Sequence, residues 1–189
     1  MTTLAPTLSV RFFPRTANWL RDLFLIIAAS WFIALFAQIE IPMQPVPITG
    51  QTFAVLLVGA LLGSKRGALA VVTYIAQGAM GLPFFAGGAS GMGILTGATA
   101  GYLLGFVGAA YVVGWLAEKG LERSVRTSIL PFLIGTLIIY IFGVAWLSLV
   151  MGSVIKAIVS GLLPFLIGDA IKLLAAALAL PAAWGLFRE

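Results

Sequence analysis

Asp169 and Lys172 lie in the stretch LPFLIGDAIKLL, from Leu163 to Leu174, and are the only charged residues between Lys156 and Arg188. At positions i and i+3 of a helix the two side chains leave from one face. A carboxylate accepts N–H donors, and an ammonium donates to carbonyl or carboxylate oxygens. The pair therefore suits a small ligand that carries both kinds of group. A charge set in lipid is costly, and where one occurs it usually faces a bundle interior or a wet cavity. The competing reading is an ion pair that only fixes helix packing.

Other chemistries lack their residues. The chain has no histidine and no cysteine, which removes the commonest general base, thiolate metal sites and Ser-His nucleophiles. The six acidic residues form no metal cluster in sequence, and four of them, Asp22, Glu118, Glu122 and Glu189, fall beside basic turns or the carboxyl terminus. Gly63-Ser64-Lys65 fails the phosphate-loop pattern, in which the Lys directly follows a Gly. Gly88-Ala89-Ser90-Gly91 only superficially resembles a nucleophile elbow. Catalysis is not expected, nor is a bound cofactor or metal. The net charge of +5 comes without the basic patch and interleaved aromatics of a nucleic-acid surface. Gln51, Tyr74, Gln77 and Ser90 can add amide and hydroxyl groups to an apolar pocket around Asp169 and Lys172. Gln51, Tyr74 and Gln77 also have readings as packing or loop-bracing residues.

The elements that position these groups must be membrane helices. Of 189 residues, 61% are hydrophobic and 9% charged, and the mean hydropathy is +1.12. The expected fold is an all-α integral membrane bundle of six transmembrane helices in one domain. Residues 1–17 form a polar lead and 18–189 the bundle. The first apolar run, Leu23 to Ile39, is long for a signal peptide and reads as a retained helix. In EIPMQPVPITGQ, residues 40–51, Pro42, Pro45 and Pro47 each remove a backbone donor and favour an extended loop. Thr52 to Gly63 and Gly67 to Met80 are apolar but short of the roughly 20 residues that cross hydrocarbon. Either they extend into the neighbouring loops, or they stop part-way and buried loop fills the remaining depth.

The uncharged run GLPFFAGGASGMG, residues 81–93, predicts irregular backbone folded back over the bundle, since such backbone survives at membrane depth only where protein covers it or it lines a cavity. A fourth helix is expected over Ile94 to Leu116. Gly93, Gly97, Gly101, Gly105 and Ala109 form a stripe of small residues that lets a helix approach closely. Glu118 to Thr127 reads as a charged turn, Ile129 to Met151 as the fifth helix, a short turn surrounds Lys156, and Leu162 to Phe187 is the sixth helix. Arg11, Arg15, Arg21, Lys65, Arg66, Lys119, Arg123, Arg126 and Arg188 then share one side, with Lys156 on the other. The positive-inside rule makes both termini cytoplasmic. The proline and glycine loops roof an outward-facing pocket whose floor holds Asp169 and Lys172.

These residues resemble a known family, the BioY biotin-binding S components of energy-coupling-factor vitamin transporters. The resemblance is carried by IPMQPVPITGQTFAVLLVGALLG from Ile41, YIAQGAMGLPFFAGGASG from Tyr74, LTGATAGYLLGF from Leu95 and GDAIKLL from Gly168. It implies a six-helix, multi-pass protein of a bacterial or archaeal cytoplasmic membrane that holds biotin under its outer loops. The family's G-D-x-x-K motif falls on Asp169 and Lys172. There the carboxylate would take ureido N–H groups, and the ammonium would either support the ureido end or balance charge. The family's A-G-G-x-G-G loop reads Ala86 to Gly91, which brings Phe85, Gly88, Ala89 and Ser90 into the candidate site. Ala89 replaces an amide-bearing residue of some relatives, and the Ser90 hydroxyl is its candidate substitute. Gln51 becomes a roof contact.

The resemblance also implies partners: a coupling membrane subunit and two ATPase subunits that alone use ATP. Small residues of the first helix, Ala29, Ser30, Ala34 and Ala37, are candidates for that contact, with lipid-facing or intramolecular packing as the alternative. A second reading of the chain is a self-sufficient, oligomeric secondary carrier for biotin or a similar small carboxylate, with Asp169 relaying protons. Its mark is an internal inverted repeat, and none stands out. A membrane enzyme on a lipid or isoprenoid substrate would need clustered acids or a metal motif, and neither occurs.

Overall fold

In a computed structural model, residues 19–121 and 124–185 are described. The lead 1–17, Glu122, Arg123, Phe187, Arg188 and Glu189, on all of which expectations rested, lie outside them. The chain begins with helix α1 (Trp19–Ala37), which the strands β1 (Glu40–Ile41) and β2 (Ile48–Thr49) follow. These strands pair antiparallel, with Glu40 opposite Thr49. The prolines 42, 45 and 47 occupy the hairpin's tip, where no ladder hydrogen bond is demanded of them.

Helices α2 (Gln51–Leu62) and α3 (Ser64–Ala79) come next. At 12 and 16 residues they stop short of the roughly 20 residues of a full span, and the hairpin precedes α2 and the glycine loop follows α3 at the same end. The single residue between them is Gly63, at φ +85°, a left-handed turn that suits glycine. The Glu118 carboxylate packs over this turn and accepts from Ser64 N at 2.8 Å. It so serves a backbone donor that the start of α3 would otherwise leave orphaned. Ser64, Lys65 and Arg66, expected as a linker, form the first turn of α3 because this cap is available.

The glycine loop does fold back onto the bundle. Its Phe85 is buried, edge-on to Tyr74 with ring centroids 5.7 Å apart, and Gly91 N donates to Gly78 O at 2.8 Å. The expected fourth helix starts later than Ile94: Met92–Leu95 is one 3₁₀ turn, and α4 runs Ala100–Ala117. Glycines at 91, 93 and 97 make helical order costly there. The small-residue stripe is correspondingly shorter than expected. Gly93 and Gly97 fall before α4, whereas Gly101 and Gly105 lie against α5 (Val125–Met151), at Trp146 and Ile139.

The last apolar stretch is broken. A short helix α6 (Val154–Gly161) replaces the expected turn at Lys156, and α7 starts at Phe165 (Phe165–Gly185), bent by 50° from it. Tyr102 Oη donates to Gly161 O at 2.6 Å and so satisfies a carbonyl that the break frees. Taking α6 and α7 as one broken unit gives six helical units among the described residues, in the expected order. Among the described residues, three helices, α1, α4 and α5, are long and apolar enough to cross a membrane unaided. Large apolar side chains such as Phe24, Trp31, Ile141 and Ile167 are exposed on the outer faces, as lipid-facing helices require.

Candidate functional site

The site grows from the junction of the hairpin with α2. Because β2 ends at Thr49 and α2 begins at Gln51, the groups of Thr49, Gln51 and Thr52 emerge together at one end of the bundle. Helix α7 faces this junction with Asp169 and Lys172, one turn apart. Asp169 is 4% exposed, yet its carboxylate is well supplied with donors. Oδ1 accepts from Thr52 Oγ1 at 2.9 Å and from Lys172 Nζ at 2.8 Å. Oδ2 accepts from Tyr140 Oη, of α5, at 2.7 Å.

Lys172 uses every proton it has. Besides Asp169, its ammonium donates to Thr49 O at 2.7 Å and to Thr52 Oγ1 at 3.2 Å, which accounts for its three donors. In this geometry Lys172 balances the Asp169 charge and ties α7 to the base of the hairpin.

Beside the pair lies a cavity of about 60 Å³, room for about four to six water-sized groups at roughly 10–15 Å³ each. Its polar lining comes from Thr49, Gln51, Thr52, Thr99, Tyr140, Asp169 and Lys172, and its walls from Pro47, Phe85, Leu103, Phe106, Ile139 and Phe165, with Tyr102 stacked on Phe165. The aromatic and aliphatic walls lower the local dielectric, which strengthens each polar contact inside. The pair thus borders a small recess rather than being sealed among packed helices.

The other expected residues divide. Gln51 lines the cavity; its Oε1 accepts from Thr49 Oγ1 at 2.9 Å, and its Nε2 donates to Tyr74 Oη. Phe85 lines it as part of the roof. Tyr74 does not: it is fully buried behind Gln51 and holds that amide in place. Gln77 is also absent from the lining; its Oε1 accepts from Ser30 Oγ at 2.9 Å on the α1 side of α3. Gly88 and Ser90 are exposed and Ala89 half-buried, all outside the cavity. They build the turn that aims Phe85 and Ala86 inward, with Phe85 N donating to Ala89 O at 3.0 Å.

The small residues of α1 face inward, as the intramolecular alternative has it. Ser30, Ala34 and Ala37 are buried inside the chain, Ala29 is half-buried, and α1 packs there against α3. Small residues permit close approach by any helix, and the chain's own α3 takes the place.

Sequence reasoning missed Thr49, Thr52, Thr99, Tyr102 and Tyr140. Tyr140 carried the clearest signal: it stands within the apolar run TLIIYIFGV, residues 136–144, and a tyrosine there needs a partner for its hydroxyl.

Comparison with known proteins places this arrangement. The chain is 46% identical over 156 residues to the biotin transporter BioY of Thermotoga maritima, covering 81% of this chain and 91% of that protein. It is 35% identical over 153 residues to the biotin transporter BioY of Rhizobium etli, covering 77% and 82%. Its fold matches the crystal structure of the S-component for biotin from an ECF-type ABC transporter with a TM-score of 0.78 at 24% identity, over 89% of this chain and 93% of that one. The BioY family model matches residues 5–189. A charged pair under a proline hairpin and a glycine loop, in a chain that the BioY family model matches over nearly its whole length, leaves one assignment: this chain belongs to the BioY family.

Proposed function

We propose that this protein captures biotin as the substrate-binding S component of an energy-coupling-factor importer. The observation that carries the reading is the Asp169–Lys172 pair at 2.8 Å on the margin of an apolar-walled cavity. Biotin's ureido group offers an N–H donor to Asp169 and a carbonyl that the Thr99 hydroxyl or a Gln51 amide hydrogen can meet. The apolar character of its ring system and chain matches aromatic walls such as Phe106 and Phe165. Relatives sharing 46% and 35% of aligned residues are named biotin transporters, and the family is one of transporters rather than enzymes.

The protein sits in the cytoplasmic membrane. The basic residues Arg21, Lys65, Arg66, Lys119 and Arg126 share the end away from the cavity, which supports cytoplasmic placement of that end and of both termini. The hairpin and glycine loop then face outward. The chain carries no phosphate-loop motif, so ATP is used by partner ATPases joined through a coupling membrane subunit. No cofactor is required of this chain.

Two measurements test the reading. Calorimetric titration of the detergent-purified protein with biotin should give saturable binding at one ligand per chain; absence of binding sinks the ligand assignment. Affinity purification from native membranes should recover a membrane subunit and ATPases. Recovery of the chain alone, with biotin still bound, sinks the importer assembly and leaves capture standing.

A further inference from the structure

The hydrogen-bond capacity of Asp169 is nearly consumed within the protein. A carboxylate offers about four acceptor positions, two on each oxygen. Both positions of Oδ1 are filled, by Thr52 Oγ1 and Lys172 Nζ. On Oδ2 one is filled, by Tyr140 Oη at 2.7 Å. One acceptor position remains, and it lies on the oxygen that Tyr140 holds.

We infer that Tyr140 is a positioning residue for ligand recognition: with Thr52, its hydroxyl fixes the rotation of the Asp169 carboxylate so that Oδ2 presents a single acceptor site to one ligand N–H. This rests on the reading of the ligand as biotin. Tyr140 is buried, 7% exposed, on α5, and Thr52 stands at the start of α2, so the carboxylate is gripped from two elements besides its own. Lys172, of the same helix as Asp169, anchors Oδ1 and cannot also set Oδ2. A carboxylate held this way reads one N–H and rejects an oxygen in its place, because an acceptor facing an acceptor leaves both lone pairs unpaired and desolvated. The two ureido N–H groups of biotin are therefore distinguished by the site, one going to Oδ2 and the other to a different partner.

The test uses biotin and the two cyclic carbamate analogues in which one or the other ureido N–H is replaced by a ring oxygen, a near-isosteric change. Affinities are measured for detergent-purified wild type and Tyr140→Phe by competition with radiolabelled biotin. Wild type should reject one carbamate about tenfold to a hundredfold more strongly than the other. In Tyr140→Phe, that ratio should fall by about tenfold, because the carboxylate is no longer held in one rotation. Thr52→Val, which removes the donor to Oδ1 without changing side-chain size, should lower the ratio as well and serves if the first variant does not fold. A variant that binds every ligand more weakly but keeps the wild-type ratio overturns the inference, since loss of packing alone affects the analogues equally. Equal rejection of both carbamates by wild type also overturns it. Failure of wild type to bind biotin at all is a separate result that removes the ligand reading beneath it.

Discussion

Lys172 Nζ lies 2.7 Å from the carbonyl oxygen of Thr49, so a charged side chain of α7 holds the last residue of the proline hairpin. The same ammonium neutralises Asp169 at 2.8 Å. If the pair binds the ligand as proposed, recognition and the seating of the hairpin share one group. Lys172→Met removes the hold on Thr49 and leaves Asp169 a buried, unbalanced charge, a loss of about 3 kcal/mol where such a pair is broken. Hydrogen exchange across residues 40–51 should speed up, and biotin affinity should fall by at least about a hundredfold. Lys172→Arg should not restore it, because a planar guanidinium cannot replace a compact ammonium between three acceptors. Unchanged exchange in the hairpin would show that Lys172 does not seat it.

Asp169→Asn keeps the shape and one carbonyl oxygen but removes the charge that Thr52, Lys172 and Tyr140 all address. The lysine is left without its counter-ion, and the new amide points donors where a ligand N–H should arrive. Biotin affinity should drop by about 2 to 4 kcal/mol. Calorimetric titration that returns wild-type affinity would remove Asp169 from the binding machinery.

The Asp169 and Lys172 pair was legible in the sequence because charges inside an apolar helix have few physical explanations. The proline and glycine loops were legible for a related reason, since uncharged irregular backbone must be covered. The small residues of α1 were not. Ser30, Ala34 and Ala37 report only that something approaches closely, and spacing cannot say whether it is α3 or another subunit. Nor could spacing separate Tyr74 from Tyr140. One hydroxyl braces Gln51 and the other grips Asp169, and the difference depends on which helices meet. The start of α4 was misplaced because an apolar, glycine-studded run has suitable hydropathy for a helix without the backbone preference for one.

Gly143 on α5 is where the cavity wall and the helix packing meet. A methyl group added there would overlap the Tyr102 ring, which lines the cavity and stacks on Phe165 with centroids 6.3 Å apart. Gly143→Ala must push Tyr102 aside or part α4 from α5. Overpacking of this kind costs about 1 to 3 kcal/mol. Both the melting temperature in detergent and biotin affinity should fall, the latter severalfold. A variant with wild-type values of both would mean that Tyr102 has room to yield.

Glu118 offers the contrasting case, a residue important to the fold and remote from the cavity. Its carboxylate accepts from Ser64 N at 2.8 Å and Ser64 Oγ at 3.0 Å and so caps α3 from the far end of α4. The Gly63 turn carries no cap of its own. Glu118→Ala strips the Ser64 amide of its acceptor at a helix start, where loss of a capping oxygen costs about 0.5 to 2 kcal/mol. Glu118→Gln retains an acceptor oxygen and should lose less. Because Ser64 lies at the opposite end of the bundle from Thr52 and Asp169, biotin affinity at a temperature well below the melt should stay within about twofold of wild type, well under the tenfold that 1.4 kcal/mol produces. Thermal unfolding followed beside calorimetric titration separates the two effects. An affinity loss as large as that of Asp169→Asn would show instead that the α3 cap and the cavity form one mechanical unit.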